Sequence, residues 1–213
     1  DISSGAKSAF KRDFGEVEDW YLSVVDVQVY GQPRVAPFWL YLFGQPKTGK
    51  STLTEYLLKD IYAYRKQKDA DRSDFDPTMR YTYTEGQEYW EGYHGQPVMT
   101  IDDVFQSRMP EDRKKTAIHM ITLCSPSPVH LNMAKIEDES SCFFTSELIV
   151  SSTNEMKPPT QCSIVNYDSL YRRFDAVLVE RTSDKDVDAD QINKKSWKFS
   201  LQVPDSLLSS RRV

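Results

Sequence analysis

The sequence predicts an α/β protein with a mainly parallel central sheet flanked by helices. An apolar run at residues 38–43 leads into a glycine-containing loop at 44–51, and a segment with helical spacing of apolar residues follows. Short apolar segments then alternate with helix-like segments, which is the layout of α/β folds. Three of the apolar segments end in polar side chains, and open α/β sheets bind their ligands at such strand ends.

The chain is predicted to consist of three regions. Residues 1–33 form a lead-in whose periodicity does not distinguish helix from strand. Residues 34–181 form the predicted core, and residues 182–213 form an extension that contains an edge strand. The predicted elements are a strand at 38–43, a helix at 51–62 with a charged end and loop at 65–77, a strand at 98–101, a helix at 111–123, and strands at 148–153, 176–179 and 197–203.

Composition is that of a globular protein and argues against several other classes. The chain has 213 residues, of which 39% are hydrophobic and 28% are charged. No apolar run reaches about 18 residues, so we predict no transmembrane segment. The first residues are polar and lack an initiator Met, so we expect no signal peptide and a piece of a longer protein. A net charge of −5 means that any nucleic-acid contact would rely on local basic positions or on oligomerisation.

Cysteine and histidine do not suggest a metal site. The three cysteines are widely spaced and include no C-x-x-C pair, so neither a zinc site nor a disulfide framework is predicted. The three histidines lack metal-ligand spacing. Reduced, partly buried thiols in a cytosolic compartment are the simplest interpretation.

The loop at 44–51 fits the phosphate-binding pattern G-x-x-x-x-G-K-S/T, with a strand before it and a helix after it. Backbone N–H groups of such a loop wrap a phosphate, and the helix N-terminus adds partial positive charge. Lys50 would reach the β- and γ-phosphates, and Ser51 would supply a hydroxyl to Mg²⁺. The predicted fold is therefore a P-loop NTPase. Its predicted nucleotide-binding residues are Gly44, Gln45, Pro46, Lys47, Thr48, Gly49, Lys50, Ser51 and Thr52.

Polar residues at two further strand ends complete a predicted phosphoryl-transfer site. Asp102 and Asp103 follow the strand at 98–101. Asp102 would hold Mg²⁺ with Ser51, and Asp103 would orient or deprotonate the attacking water. Asn154 follows the strand at 148–153 and would contact the γ-phosphate or polarise the water. Strand-end acids and a turn-favouring Asn are the plainer alternatives.

Two adjacent arginines, Arg172 and Arg173, are the predicted cationic partners of the transferring phosphoryl group. A guanidinium stabilises the charge that spreads over that group. A neighbouring subunit often supplies such an arginine in trans. A surface salt-bridge pair is the alternative that spacing leaves open.

Taken in order, these motifs resemble the picornavirus-like superfamily 3 helicase/ATPases, replication proteins of positive-strand RNA viruses. The resemblance rests on the phosphate loop and on further segments, namely the aromatic stretch at 88–96, the D-D-x-x-Q of 102–106, the intermediate motif at 133–137 with 144–146, the S-T-N of 152–154 and the arginine segment at 171–174.

The resemblance implies an AAA+-type ATPase that uses Mg²⁺ and ATP and assembles as a ring, expected to be a hexamer, with its active site between subunits. It also implies single-stranded RNA in a central pore, other viral replication proteins as partners, and work in the host cytoplasm at membrane-associated replication complexes. Membrane attachment is expected through regions absent from this chain. Glu139 and Ser140 stand where the family often has Lys-Gly, so Lys135 and His130 become the candidate RNA contacts.

The leading functional prediction is an ATP-hydrolysing motor that remodels RNA. One alternative is a small-molecule P-loop kinase, which would transfer phosphate to a nucleoside or nucleotide. Another is a replication scaffold that binds RNA or membrane and uses nucleotide only to control assembly.

Overall fold

The computed structural model describes residues 34–68, 74–134, 142–156, 166–181 and 197–202. The lead-in at 1–33, the candidate RNA contact Lys135 and most of the C-terminal extension lie outside these residues. The described elements are β1 (Phe38–Phe43), α1 (Lys50–Lys68), β2 (Arg80–Thr82), β3 (Val98–Ile101), α2 (Pro110–Leu123), β4 (Leu148–Thr153), α3 (Asp168–Tyr171), β5 (Phe174–Arg181) and β6 (Trp197–Gln202).

The described strands form one sheet in the order β2-β3-β4-β1-β5-β6. The neighbours from β2 to β5 pair in parallel, and only β6 runs antiparallel, on the edge beside β5. This confirms the predicted α/β fold with a mainly parallel sheet. Because β4 lies between β3 and β1, the three strands with polar ends are neighbours, and their carboxyl ends meet at one edge of the sheet.

Apolar residues cover both faces of the sheet. Alternate residues of β1 point to opposite sides, so Trp39 and Tyr41 pack in one core cluster and Leu42 packs in the other. The first cluster is strongly aromatic and includes residues of α2, and the second includes residues of α1. Burial on both faces explains why β1 and β4 are continuous apolar or small-residue runs rather than alternating ones.

The observed elements match most of the predicted ones and differ at their ends. α1 ends at Lys68, within the charged segment at 65–77 that was expected to contain a helix end and a loop, and Arg65 in this part pairs with Glu147. β5 extends the predicted strand at 176–179 in both directions. In α2, the apolar residue Ile118 is 47% exposed.

One strand, β2, was not predicted. It has three residues, which is too short for a periodic pattern to be visible. A 3₁₀ turn at Pro77–Met79, capped by the side chain of Asp76, leads into it. Among the described residues, none of the helices combines the length and the apolarity that crossing a bilayer requires.

Candidate nucleotide site

The phosphate loop joins β1 to α1 at the carboxyl edge of the sheet. Gly44 passes close to β5, where an added Cβ would lie 2.3 Å from the carbonyl oxygen of Val179, so this position accepts only glycine. Gly49 has a φ of 82° and Lys47 has a φ of 65°. Glycine adopts this left-handed region freely, whereas a lysine there is strained.

Two hydrogen bonds fix the middle of the loop. Thr48 Oγ1 donates to the carbonyl oxygen of Gln45 over 3.0 Å. The carbonyl oxygen of Thr48 in turn accepts from the indole Nε1 of Trp197 over 2.8 Å. Trp197 is the first residue of β6 and is buried against Tyr56 of α1. The edge strand therefore supports the loop directly.

Lys50 is buried, with 7% of its surface exposed, and points into the site. Its Nζ donates to the carbonyl oxygens of Gly44 (2.9 Å) and Gln45 (3.1 Å) and to Oδ1 of Asn154 (3.0 Å). Burial lowers the pKa of Lys50, and the carboxylates of Asp103 and Asp102 act in the opposite direction. The structure thus brings the predicted Lys50, the two acids and Asn154 together.

Ser51 and Asp102 form an oxygen-rich pair beside the loop. Ser51 Oγ lies 3.3 Å from each carboxylate oxygen of Asp102. Ser152 Oγ donates a short hydrogen bond to Oδ1 of Asp102. Ser51 and Asp102 also line a cavity of about 180 Å³ between α1 and the sheet. Oxygen-only donors of this kind suit Mg²⁺, so the residues fit the predicted metal.

The acidic turn, defined here as residues 102–107, follows β3 and has an unusual backbone. Asp103 has a φ of 50° and Phe105 a φ of 64°. The backbone N–H of Asp103 donates to Ser152 Oγ over 3.3 Å, and the N–H of Val104 donates to the Ser152 carbonyl over 2.9 Å. Gln106 Nε2 donates to Thr153 Oγ1 over 3.2 Å. β4 therefore holds the turn that carries both acids.

The two arginines directly precede β5, so they lie at the amino ends of the parallel strands, opposite to the carboxyl ends that carry the phosphate loop. Phe174, directly after them, pairs with Trp39 near the start of β1. Gly44 directly follows β1 and comes five residues after Trp39. At the usual rise of a strand, five residues separate the two positions by roughly 16 Å. The arginines are therefore remote from the phosphate loop of their own chain.

Arg172 and Arg173 differ in their surroundings. Arg172 is exposed. Arg173 is half-buried, its Nη1 donates a short hydrogen bond to the carbonyl oxygen of Ser169, and its buried Nε has no hydrogen-bond partner among the described residues. Desolvation lowers the pKa of Arg173, and the positive charge of Arg172 adds to this. Arg172 is thus the arginine whose side chain is accessible to a second subunit.

His130, the other predicted RNA contact, lies in the segment between α2 and β4. It forms an antiparallel bridge with Phe143, and their rings make an edge contact with centroids 5.2 Å apart. His130 is exposed and lines a cavity of about 400 Å³ together with Trp90 and His119. Its role in RNA binding stays a prediction.

Sequence reasoning did not single out three residues that support the site: Ser152, Trp197 and Glu85. Ser152 belongs to the S-T-N stretch, so its place one residue before a strand end was the available signal. Trp197 donates a hydrogen bond to the carbonyl oxygen of Thr48, which lies 149 positions earlier in the chain. Glu85 accepts hydrogen bonds from the acidic turn across 20 and 22 positions, and nothing local in the sequence indicates either contact.

Comparison with known proteins agrees with the family that the sequence motifs resemble. The model of the RNA helicase family matches residues 40–155, which is more than half of the chain. The RNA1 polyprotein of Grapevine fanleaf virus is 28% identical over 174 residues, covering 82% of this chain and 7% of the polyprotein. The replicase polyprotein of Drosophila C virus is 27% identical over 184 residues, covering 86% of this chain and 10% of the polyprotein.

The genome polyprotein of Rice tungro spherical virus is 27% identical over 164 residues, covering 76% of this chain and 4% of the polyprotein. The chain therefore spans a tenth or less of the length of these relatives. The matched region runs from β1 through β4 and includes the phosphate loop, both acids and Asn154. The chain belongs to the RNA helicase family, as a superfamily 3 helicase domain of the picorna-like RNA viruses.

Proposed function

We propose that this domain hydrolyses ATP and uses the reaction to remodel RNA or ribonucleoprotein during viral replication. The observation that supports this most strongly is the convergence of Lys50, Asn154 and the Ser51–Asp102 pair at the carboxyl edge of the sheet. A loop for phosphate, a cation for its charge and oxygen donors for a metal are the parts that phosphoryl transfer requires.

Lys50 is the group that changes partners when nucleotide binds. An ammonium group has three donors, and here they are directed at two loop carbonyls and at Asn154. Phosphate oxygens are charged acceptors and form stronger hydrogen bonds than carbonyls do. A bound triphosphate therefore displaces the carbonyls of Gly44 and Gln45 from Lys50.

Ser51 and Asp102 would hold Mg²⁺. The ion, when bound, neutralises charge on the β- and γ-phosphates. The short hydrogen bond from Ser152 fixes the carboxylate of Asp102, and such support of a ligating carboxylate is typical of metal sites.

Asp103 and Asn154 act on the attacking water. The carboxylate of Asp103 accepts a proton as the water oxygen bonds to the γ-phosphorus, and the bond from that phosphorus to the bridging oxygen breaks to leave ADP and inorganic phosphate. The amide of Asn154, already aligned by its bond to Lys50, orients the water or the γ-phosphate. Both residues follow rigid sheet strands, which favours precise positioning.

A neighbouring subunit supplies Arg172. Its place at the amino edge of the sheet, remote from its own phosphate loop, supports an arrangement in trans. Its exposure, in contrast to the tethered Arg173, supports Arg172 as the contributing residue. A ring, with six subunits as the expected number, gives every site one such arginine.

The proposed partners of this domain are RNA and other viral replication proteins, and the proposed place of action is at host membranes. The relatives are viral replicase and genome polyproteins, which supports a role at cytoplasmic replication complexes. Single-stranded RNA is the proposed substrate of the motor, and membrane-associated replication complexes are its proposed place of action.

The first test is steady-state ATP hydrolysis measured against protein concentration. We expect turnover that rises faster than linearly and that Lys50→Ala abolishes. Lys59→Ala, an exposed lysine on the same helix, serves as the matched control and should retain parent activity. Nucleotide binding without turnover at any concentration would overturn the ATPase in favour of a nucleotide-regulated scaffold. Transfer of the phosphate to a nucleoside would favour a kinase.

The second test addresses the arginine. Lys50→Ala and Arg172→Ala are each expected to be nearly inactive alone, and mixing them should restore part of the activity, because mixed interfaces pair an intact loop with an intact arginine. Arg108→Ala, another exposed arginine, should retain activity alone. Mixtures that stay inactive would contradict the shared site.

A further inference from the structure

Glu85 lies on the connector between β2 and β3, defined here as residues 83–97, and the proposed mechanism does not use it. We propose that Glu85 is a positioning residue that holds the acidic turn in the conformation required for hydrolysis. This inference rests on the proposed ATPase function and adds a residue to that same site.

The acidic turn needs an external support because its backbone is strained. Asp103 and Phe105 both have positive φ values, 50° and 64°. A residue with a Cβ is disfavoured in this region by about 1–2 kcal/mol, and bulky residues such as Phe are rarely found there. Such a backbone persists only where neighbouring groups fix it.

β4 supports the first part of this turn. Ser152 accepts the N–H of Asp103 on its hydroxyl and the N–H of Val104 on its carbonyl. Thr153 Oγ1 donates to the carbonyl oxygen of Val104 over 3.1 Å and accepts from the side chain of Gln106. These contacts leave the N–H groups of Phe105 and Ser107 to another partner.

Glu85 is that partner. Its Oε1 accepts the backbone N–H of Phe105 over 3.1 Å, and its Oε2 accepts the backbone N–H of Ser107 over 2.7 Å. One carboxylate thus bridges two N–H groups of the strained turn. Hydrogen bonds to a charged acceptor are stronger than those between neutral groups, and the two oxygens together fix the orientation of the turn as well as its position.

The connector is itself held rigidly at Glu85. Gly86 has a φ of 83°, and a Cβ there would lie 2.9 Å from Cγ of Asp112 in α2, so glycine permits this close approach. Gln87 closes the turn by accepting the N–H of Thr84 over 2.8 Å and by donating to Tyr81 Oη over 2.8 Å. The carboxylate of Glu85 is therefore placed by the backbone around it.

Charged groups of α2 complete the surroundings. Burial raises the pKa of Glu85, the two backbone N–H groups oppose this shift, Asp112 adds to it and Arg113 opposes it. Arg113 also donates a short hydrogen bond to the carbonyl oxygen of Ser107, and Ser107 Oγ donates to Asp112 over 2.9 Å. The end of the acidic turn is thus anchored jointly to the connector and to α2.

The consequence for catalysis concerns Asp103. Asp103 and Phe105, the two residues with positive φ, are separated only by Val104, so releasing the N–H groups of Phe105 and Ser107 permits the turn around Asp103 to relax. Asp103 would then lose its alignment with the attacking water, while the phosphate loop, which Glu85 does not contact in the described structure, would keep its affinity for ATP. Misplacement of a catalytic group by about 1 Å is sufficient to slow a reaction by about 100-fold.

The test compares Glu85→Gln with the parent in steady-state ATP hydrolysis and in equilibrium binding of a non-hydrolysable ATP analogue. Gln has the same shape but places an NH₂ group against one of the two N–H donors. We expect kcat to fall by about 10- to 100-fold, the loss typical of one charged hydrogen bond, with the affinity for the analogue within twofold of the parent. Glu91→Gln, an exposed glutamate on the same connector, is the matched control and should behave as the parent.

Several results would overturn the inference. One is a kcat of Glu85→Gln within twofold of the parent, and a second is a loss that appears in KM and analogue binding instead of kcat. If thermal melting shows that Glu85→Gln is unfolded, Glu85→Asp decides: an intermediate loss of kcat with retained binding supports the inference, and parent-like kcat overturns it. The third is a parent without turnover, which overturns the proposed function and this inference together, whereas an active parent with an unaffected Glu85→Gln removes only the inference.

Discussion

The phosphate loop and the acidic turn meet at the same edge of the sheet but are stabilised in different ways. The loop is stabilised mostly by its own neighbours in sequence, through the hydrogen bonds of Thr48 and Lys50 to residues three to six positions away. The acidic turn relies on Ser152 and Glu85, which are 49 and 20 positions from the groups they bind.

This contrast indicates which part of a candidate nucleotide site can be recognised from the amino-acid sequence. A loop that is fixed mostly by local hydrogen bonds leaves a recognisable pattern, because most of the residues that shape it are close together in the chain. A turn shaped by distant partners leaves only its two acids. The difference also suggests a division of labour, in which the loop binds the triphosphate and the acidic turn governs the hydrolysis step.

Among the residues that support the loop or the acidic turn, the largest effect is expected for Ser152→Ala. The substitution removes the hydroxyl that binds both Asp102 and the N–H of Asp103. We expect kcat to fall by about 10- to 100-fold, since a charge-assisted hydrogen bond is lost and a donor is left unpaired. Binding of an ATP analogue should remain near that of the parent.

Ser151→Ala is the control for Ser152→Ala. Ser151 is equally buried on the adjacent position of β4, but its hydroxyl accepts from Trp39 Nε1 over 2.8 Å. We expect this variant to lower the melting temperature without a comparable loss of kcat. Equal losses of kcat in the two variants would mean that the acidic turn is not specifically served by Ser152.

A smaller and different effect is expected for Trp197→Phe. The ring contact with Tyr56 is retained, but the hydrogen bond to the carbonyl oxygen of Thr48 is lost. An unpaired buried carbonyl costs about 1–3 kcal/mol, and here it would loosen the loop. We expect the KM for ATP to rise by about 5- to 10-fold, with kcat little changed, as measured by steady-state kinetics.

Trp39→Phe is the matched control, since Trp39 is buried and donates to Ser151 on β4 instead of to the loop. It should reduce stability without raising KM. If Trp197→Phe instead lowered kcat at an unchanged KM, the loop and the acidic turn would not have separate roles.

The smallest effect is expected for Lys47→Gly. Lys47 has a φ of 65°, and glycine removes the strain of about 1–2 kcal/mol at an entropic cost of about 0.5–1 kcal/mol. We expect the melting temperature to rise by about 1–3 °C, as measured by calorimetry. Lys59→Gly, in the middle of α1, should lower it, because glycine is unfavourable inside a helix. A fall of similar size in both variants would show that Lys47 is not strained.

The sequence was sufficient to predict the fold and to identify the polar residues at the strand ends. Gly44, Asp102 and Asn154 each follow an apolar run, and parallel strands bring such ends to one edge of a sheet. β2 escaped prediction because three residues are too few to show a period.

Sequence also could not distinguish between Arg172 and Arg173. Two adjacent arginines look alike in a pattern, and only packing separates the exposed one from the one bound to Ser169. Glu85 and Trp197 were missed for a related reason. Glu85 lies in a connector and Trp197 in an edge strand. Each binds backbone groups from a distant part of the chain, and the local sequence does not indicate such partners.

The most direct test of the division between loop and acidic turn is a paired measurement of ATP-analogue affinity and kcat for Asp103→Asn and Lys50→Ala. For Asp103→Asn we predict parent-like affinity and a loss of kcat of about 100-fold or more, the range of a general base. For Lys50→Ala we predict the loss of both. An Asp103→Asn variant that turns over ATP at the parent rate would contradict the account.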